Sequence, residues 1–467
     1  MTFQSDKLDK LIRTQMRKRN TPGLAISVLK DGDAIYSKGF GLRNLKQFKT
    51  MNADTLLGVA SISKSFTAFA VMKLQEMGKL SIDDSVSSYL AFEPFLSRPD
   101  ITLKHLLSHS SGIPSTDAGR LDSTFAFNDF SRIYPATSRD DFLAHLADAS
   151  DFIMFKPGEK FFYNNDMYSC LSFIIEQVSG MSFTDFVQQQ ILDPLGMERA
   201  VYTQQGLDED PDNNVMTGYR FHTEGGKTAA MESDLPIGGY SPPRGGLYTS
   251  MNELLKYAQC LLNSGEHKGV QLLSPESVEV LFEGLISTPY GEGDDPQYAL
   301  GWTIEKPSQQ MPYTLIQHSG GLGTTGSFLL LVPELKLAVA AAENASTGGI
   351  AQLMARSALA LAIDQTPEDS VEALHIGKVL EELQGSYKTA HDIYALNVEI
   401  KAGVLQADIE IDDGRFCFSL TPNDLDKLDF ATYSLRSNSK AKLQFYRNKD
   451  TQKVEYVAYD RYLYRRV

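Results

Sequence analysis

Beyond Leu383 the chain becomes a succession of short runs in which apolar and polar residues alternate. Such runs occupy 395–400, 405–411, 415–420, 442–446 and 453–461. Turn residues separate them, among them Asp412-Asp413-Gly414 and Asn448-Lys449-Asp450. A period of two puts every second side chain on one face, so each run reads as a strand with one buried face. Many short strands joined by tight turns must be antiparallel, and such sheets escape exposed edges by curling toward closure. An antiparallel, barrel-like β domain is therefore expected at the C-terminus, with domains at 1–369 and 370–467. A chain of 467 residues is long enough for two.

The first domain has another texture. Leu8, Leu11, Ile12 and Met16 recur at helical spacing over 5–19, and Thr21-Pro22-Gly23 stops that helix. Strands are expected at 24–29 and 34–37 around an Asp31-Gly32 turn, with Gly39-Phe40-Gly41 as an irregular link. Helices are expected over 66–77, from Tyr168 to Gly180, over 253–262 and over 348–364. Residues 204–245, rich in Gly, Asp, Asn and Pro, read as long loops. A second pair of strands, 327–332 and 337–342, is joined by a turn at Pro333-Glu334-Leu335-Lys336.

A net charge of −15 argues against nucleic-acid binding and gives no basic footing on anionic membranes. Three scattered cysteines form neither a metal spacing nor a disulfide framework, which suits a reducing compartment. Residues 1–20 carry no signal-peptide core, and no apolar run is long enough to span a bilayer, so a cytoplasmic location is expected. His105 and His109 stand at i, i+4 with no third ligand near, which favours helix-end and loop roles over a metal site. No metal and no cofactor are expected.

Chemistry concentrates at three places. Ser61 and Lys64 form an S-x-x-K pair at the start of the 66–77 helix. Three residues apart on a helix, they share a face. A serine hydroxyl is a weak nucleophile until a nearby amine of lowered pKa can take its proton. The spacing alone is unspecific: Ser437 with Lys440 and Ser439 with Lys442 repeat it where no apolar helix follows. Tyr163 and Asn165 stand at a loop–helix junction, where a tyrosine near cations acts as a base if its pKa is depressed, and an asparagine orients an amide. A buried Tyr beside an Asn cap is the plain reading, and Tyr446-Arg447-Asn448 repeats Y-x-N without such a context. His318-Ser319-Gly320-Gly321 is the third place. Gly321, Gly323 and Gly326 fit G-x-G-x-x-G, but a strand follows instead of a helix, so dinucleotide binding is rejected. A nucleotide P-loop ending at Lys227-Thr228 lacks the Gly required at Phe221.

In this order the three elements resemble the serine β-lactamase and penicillin-binding protein superfamily, and most closely its class C-related hydrolases: esterases, D-amino-acid peptidases and D-alanyl-D-alanine carboxypeptidases. Ser61 and Lys64 match S-x-x-K, Tyr163 and Asn165 match Y-x-N, and His318-Ser319-Gly320 stands where true lactamases carry K-T-G. Supporting similarity runs over roughly residues 8–360. It includes Pro22-Gly23, the segment 106–112, Pro194-Leu195-Gly196-Met197, the segment 245–250 and Tyr298-Ala299-Leu300-Gly301-Trp302.

The resemblance implies an α/β fold (α+β in composition). An antiparallel sheet is built from both ends of the catalytic region, helices flank it, and a helical region is inserted between. The C-terminal β domain is similar to the lipocalin-like modules of some members. Acyl transfer is implied, with Ser61 as nucleophile, Lys64 and Tyr163 sharing the proton work, and backbone N–H groups of Ser61 and Gly321 as the oxyanion hole. Asn165, Ser319, Gly320 and Gly321 would hold the substrate: a small peptide, amide or ester. His318 replaces a fixed cation with a group neutral over much of the physiological range, which tilts the expectation toward a peptidase or esterase and away from a lactamase. The rivals are a catalytically idle ligand-binding protein of penicillin-binding type and a weak β-lactamase. A role in homo-oligomer assembly is among those open to the β domain.

Overall fold

The computed structural model describes residues 3–116, 138–224, 227–308, 311–401, 403–411, 414–434 and 439–467. The chain divides into two compact units, Met1–Asp364 and Gln365–Val467.

The first unit opens with helix α1 (Ser5–Arg19), which buries Leu8, Ile12 and Met16 along one stripe and ends at Asn20 in the left-handed region. Strands β1 (Gly23–Lys30) and β2 (Asp33–Asn44) follow as a hairpin, with Asp31 and Gly32 both at positive φ. The expected link at Gly39-Phe40-Gly41 is instead the continuation of β2. The glycines are there for closeness. A Cβ on Gly39 would lie 2.4 Å from the Met51 carbonyl oxygen, so the strand slides under the Met51-Asn52 backbone.

With β3 (Lys49–Thr50), β4 (Ile286–Ser287), β5 (Gln297–Tyr298), β6 (Thr303–Glu305), β7 (Leu315–Gly321), β8 (Gly326–Val332) and β9 (Leu337–Glu343), the sheet runs β4-β5-β6-β7-β8-β9-β1-β2-β3. Every pairing is antiparallel, and β1 joins β9 from Leu24↔Glu343 to Lys30↔Leu337. The two ends of the unit thus share one sheet. β1, β8 and β9 read as continuous apolar runs because both of their faces are covered.

Helix α2 (Ser63–Glu76) is buried on all sides from Ser63 to Met72, the mark of a core helix. Helix α3 (Asn165–Ser179) packs on α2, helix α4 (Met251–Leu262) lies on β1 and β9, and helix α5 (Ile350–Ala362) covers β8 and β9. Ala338, Ala340 and Ala342 of β9 face the core that holds α2 and α4. The expected long loop at 204–245 contains a hairpin, Gly218–Glu224 with Lys227–Ser233. Its apolar residues, Tyr219 and Phe221 on one strand and Ala229, Ala230 and Met231 on the other, make too short an alternation to mark two strands. Among the described residues, no helix is long and apolar enough to cross a membrane.

Glu343 closes β9 with no exposed surface, and burial raises its carboxyl to about 7 despite hydrogen bonds from Thr347. In the unfolded chain this group ionises near the ordinary 4.5. The folded form therefore holds the proton longer, and stability falls as pH rises from about 4.5 to 7. Glu343→Gln is expected to flatten that slope, recovering up to about 3 kcal/mol at pH 8 relative to pH 4.5. Urea unfolding at the two pH values checks this; parallel shifts in both proteins would contradict it.

After a short helical turn at Pro367–Ser370, the second unit has helix α6 (Glu372–Leu383) and continues as β10 (Gly385–Lys388), β11 (Ala395–Lys401), β12 (Val404–Ile411), β13 (Gly414–Ser419), β14 (Thr421–Asp424), β15 (Asp429–Ser434), β16 (Ser439–Arg447), β17 (Val454–Tyr459) and β18 (Tyr462–Arg466). The strand order is β13-β12-β11-β10-β18-β17-β16-β15-β14. Its two edge strands follow one another in sequence, parted only by Leu420, so the sheet is a nearly closed antiparallel barrel. Tyr387, Leu396, Val398, Ala407, Ile409, Phe430, Leu443, Phe445, Val457 and Tyr464 fill it, with Val379 and Leu383 of α6 in the same cluster. Residues 412–413 of the expected turn, and Ser437, lie outside the described residues.

Candidate active site

Ser61 sits in a 3-10 turn, Ala60–Ile62, that feeds directly into α2. Ala60 before it has φ 47, a left-handed conformation that is strained for a residue with a Cβ. Neighbouring segments hold the turn. Ser63 Oγ donates to the Ala60 carbonyl at 2.7 Å and accepts from Leu247 N–H at 3.1 Å, and Ser327 Oγ of β8 donates to the Val59 carbonyl at 2.7 Å. Gly320 lets β7 reach this backbone: a Cβ there would stand 2.4 Å from Val59 O and 2.9 Å from Ala60 Cβ.

Lys64, one turn along, is wholly buried, and its Nζ lies 3.1 Å from Ser61 Oγ. The carbonyl of Arg244 accepts from Nζ at 2.7 Å. That carbonyl belongs to a short helical turn, Pro242–Gly245, tied to α2 by Thr67 Oγ1 donating to Pro243 O at 2.6 Å. Burial first, and the Arg244 charge second, hold the Lys64 amine well below the ordinary lysine range. The rings of Tyr163 and Tyr168 face Nζ at 4.8 and 5.5 Å.

Tyr163 precedes α3, whose N-cap is Asn164 and whose first residue is Asn165. The Tyr163 hydroxyl is hydrogen-bonded to Ser61, but burial outweighs that bond and raises the phenol's pKa. The expectation of a depressed tyrosine is not met: burial dominates at Tyr163, and the nearby amine is itself held well below the ordinary lysine range. Ser61 and Lys64, one turn apart on a continuous segment, and Tyr163, about 100 residues later, are thus brought together.

His318 lies on β7 and is 5% exposed. Its Nδ1 is 2.6 Å from the Ser319 carbonyl, which only accepts, so Nδ1 carries the hydrogen. Nε2 then accepts from Tyr298 Oη at 2.9 Å. Burial, aided by Lys64, pushes the imidazole down to about 3, so it is neutral at physiological pH. Its ring centre is 6.4 Å from that of Tyr163. Ser319 is exposed, Gly320 pairs with Ser327, and Gly321 ends β7 opposite Gly326 with open space above its Cα.

Two contributors were not singled out for the site by sequence. Tyr298 was noted only as part of a supporting motif, and its role follows from β5 and β7 both flanking β6, which no local pattern reveals. His109, placed in a polar loop, is 1% exposed, and its ring centre lies 4.3 Å from that of Tyr163, tilted by 42°. Its Nδ1 accepts the Asn164 N–H at 3.1 Å, which fixes the turn carrying Tyr163. Burial, then Lys64 and His318, keep it neutral too. His105 instead turns its Nδ1 to Thr102 N–H at 3.1 Å, capping its own helix.

The fold and these positions can be set beside known proteins. A family profile described as Beta-lactamase matches residues 8–363, and one described as the Pab87 octamerisation domain matches residues 367–465. The solved octameric penicillin-binding protein homologue from Pyrococcus abyssi is 30% identical and covers 99% of both chains with a TM-score of 0.88. Protein flp of Staphylococcus aureus (strain MW2) is 26% identical over 352 residues, 74% of this chain and 64% of that protein. Penicillin-binding protein 4* of Bacillus subtilis (strain 168) is 26% identical over 322 residues, 67% of this chain and 66% of that protein. The chain therefore spans about two thirds of the length of these curated relatives. The match over 8–363, carried on the antiparallel sheet with its flanking helices, places the chain in the beta-lactamase family, within the serine β-lactamase and penicillin-binding protein superfamily.

Proposed function

We propose that the chain is a serine hydrolase that cleaves small peptide, amide or ester substrates through an acyl-enzyme on Ser61. The observation that carries this reading is the wholly buried Lys64 amine, lowered in pKa and 3.1 Å from Ser61 Oγ. A neutral amine that donates one hydrogen to the Arg244 carbonyl can turn its lone pair to the serine hydroxyl. Ser61 Oγ attacks the carbonyl carbon, its proton passes to Lys64, and the leaving group departs with a proton returned through Lys64 or the Tyr163 phenol. Water then opens the ester by the reverse path. Backbone N–H groups of Ser61 and Gly321 receive the oxyanion, each such donor being worth about 3–4 kcal/mol. Asn165, Ser319 and Gly320 flank the substrate.

His318 supports a peptidase or esterase over a lactamase, because a neutral imidazole locked between Tyr298 and the Ser319 carbonyl offers no cation to a carboxylate. The three free cysteines fit a cytoplasmic location as part of the same proposal. Assembly into a homo-oligomer through the C-terminal barrel is supported by the octamerisation-domain match and the octameric homologue.

The test is intact-mass spectrometry of the full chain after brief exposure to p-nitrophenyl esters, penicillin G, nitrocefin, and L- and D-aminoacyl amides, with product release followed optically. An adduct mapped to the Ser61 peptide, together with turnover, is expected, and the productive acyl group selects among the activities. Absence of both with every compound would favour a ligand-binding protein.

A further inference from the structure

Aromatic rings cluster around Tyr163 and His318, and one of them, Tyr290, is half in solvent. Tyr290 is 51% exposed, yet its ring meets that of Tyr163 at 5.6 Å and 85°, and that of Phe161 at 5.7 Å and 77°. Phe161 in turn lies 5.3 Å from Tyr298, the partner of His318. A ring that served only to fill the core would be covered.

The loop that carries Tyr290 is anchored from below. Gly291, at φ 124, turns the chain where a Cβ would stand 2.9 Å from Glu305 Oε1. Glu292 N–H donates to Glu305 Oε1 at 2.6 Å, and Arg356 Nη1 donates to Glu292 Oε2 at 3.1 Å. Arg356 Nη2 donates to Glu305 Oε1 at 2.6 Å and to Gln317 Oε1 at 2.9 Å, one residue before His318. Arg356, Glu305 and Gln317 are all buried. Charged groups taken out of water hold one geometry when each has its partners. The same loop exposes Asp294 and Asp295, which repel an anionic substituent.

We propose that Tyr290 and Phe161 form an aromatic wall that selects substrates with an uncharged aromatic substituent next to the bond cleaved. Arg356, Glu292 and Glu305 are the positioning residues that hold the wall over Ser61. The inference rests on the hydrolase reading, because it takes the reacting bond to lie at Ser61. It adds to that reading a substrate class and the residues that set it. Edge and face contacts between rings give a directional preference that an aliphatic chain of equal size cannot match.

Binding and turnover are measured separately so that the two readings can fail separately. In the full-length Ser61→Ala chain, affinity for phenylacetyl-glycinamide and acetyl-glycinamide is measured by titration calorimetry. The phenyl compound is expected to bind about ten times more tightly. Adding Tyr290→Leu or Glu292→Gln should collapse that ratio toward one, whereas Tyr290→Phe should retain it. Retention by Phe is the outcome a merely structural hydroxyl contact would not give. Equal affinities in the parent chain, or a ratio that survives Tyr290→Leu, would overturn the wall. In the chain with Ser61 intact, hydrolysis of p-nitrophenyl acetate and p-nitrophenyl phenylacetate is followed alongside. A phenyl preference in binding without hydrolysis of either ester would support the wall and count against the hydrolase reading.

Discussion

Lys64→Met is expected to lower Ser61-dependent turnover by about 10²–10⁴-fold, the contribution of a well-placed general base. Among the described residues, the neighbouring candidates are already engaged. The Tyr163 phenol is raised by burial, so it holds its proton. His318 Nε2 already accepts from Tyr298, and His109 Nδ1 already accepts from the Asn164 N–H. The pH profile carries the signature. Burial lowers the Lys64 pKa, so the amine is deprotonated over a range where an ordinary lysine is charged. In the native chain the rate should fall as pH drops through that lowered pKa, and the variant should lose this limb. Methionine matches lysine in length but cannot donate to the buried Arg244 carbonyl, so a stability loss of about 1–3 kcal/mol is expected beside the fall in rate. Turnover within about tenfold of the native chain, with the acid limb intact, would transfer the base role to Tyr163.

Gly320→Ala should damage the site through geometry alone. Its new Cβ would lie 2.3 Å from Ser327 Oγ, 2.4 Å from Val59 O and 2.9 Å from Ala60 Cβ. The serine hydroxyl can rotate away, but the Val59 carbonyl is backbone and leads directly into Ser61. Displacement of that turn by about 1 Å is worth roughly 10²-fold in rate, and the overpacking costs about 1–3 kcal/mol in stability. Gly377→Ala in α6 is the control, since nothing lies within 4 Å of a Cβ there and the position has no part in the site. Paired kinetics and urea unfolding should separate the two; equal behaviour would show that β7 does not set the position of Ser61.

How much of this the sequence disclosed follows from the range of the interactions. The α2 pattern, the hairpin at Asp31-Gly32 and the alternating barrel strands are local, so periodicity and turn chemistry revealed them. The hairpin from Gly218 was missed because its apolar alternation, Tyr219 and Phe221, is too short to stand out. Ser61 with Lys64 was legible as a three-residue spacing, and Tyr163 and His318 as residues at a loop–helix junction and a glycine run, whose joint role the resemblance implied. The Tyr298 hydrogen bond, the tilted ring contact of His109 and the Arg356 anchor join residues distant in the chain, and no pattern in one sequence specifies such contacts. The Tyr163 pKa was misjudged for the same reason. Its direction depends on how deeply three segments bury it together.

The pairing of Leu24 with Glu343 has a consequence for how the protein is made. The β1–β2 hairpin leaves the ribosome early, but the neighbour that covers its open edge is roughly 300 residues away. At about 5–20 residues per second, that edge waits on the order of half a minute for its partner. Such distant closure is slow and leaves an unpaired strand available to other nascent chains. The barrel, by contrast, is built mostly from neighbours in sequence and can zip up hairpin by hairpin once it emerges. Holdase chaperones acting during synthesis would therefore meet the first unit as an unfinished sheet, and the second only briefly.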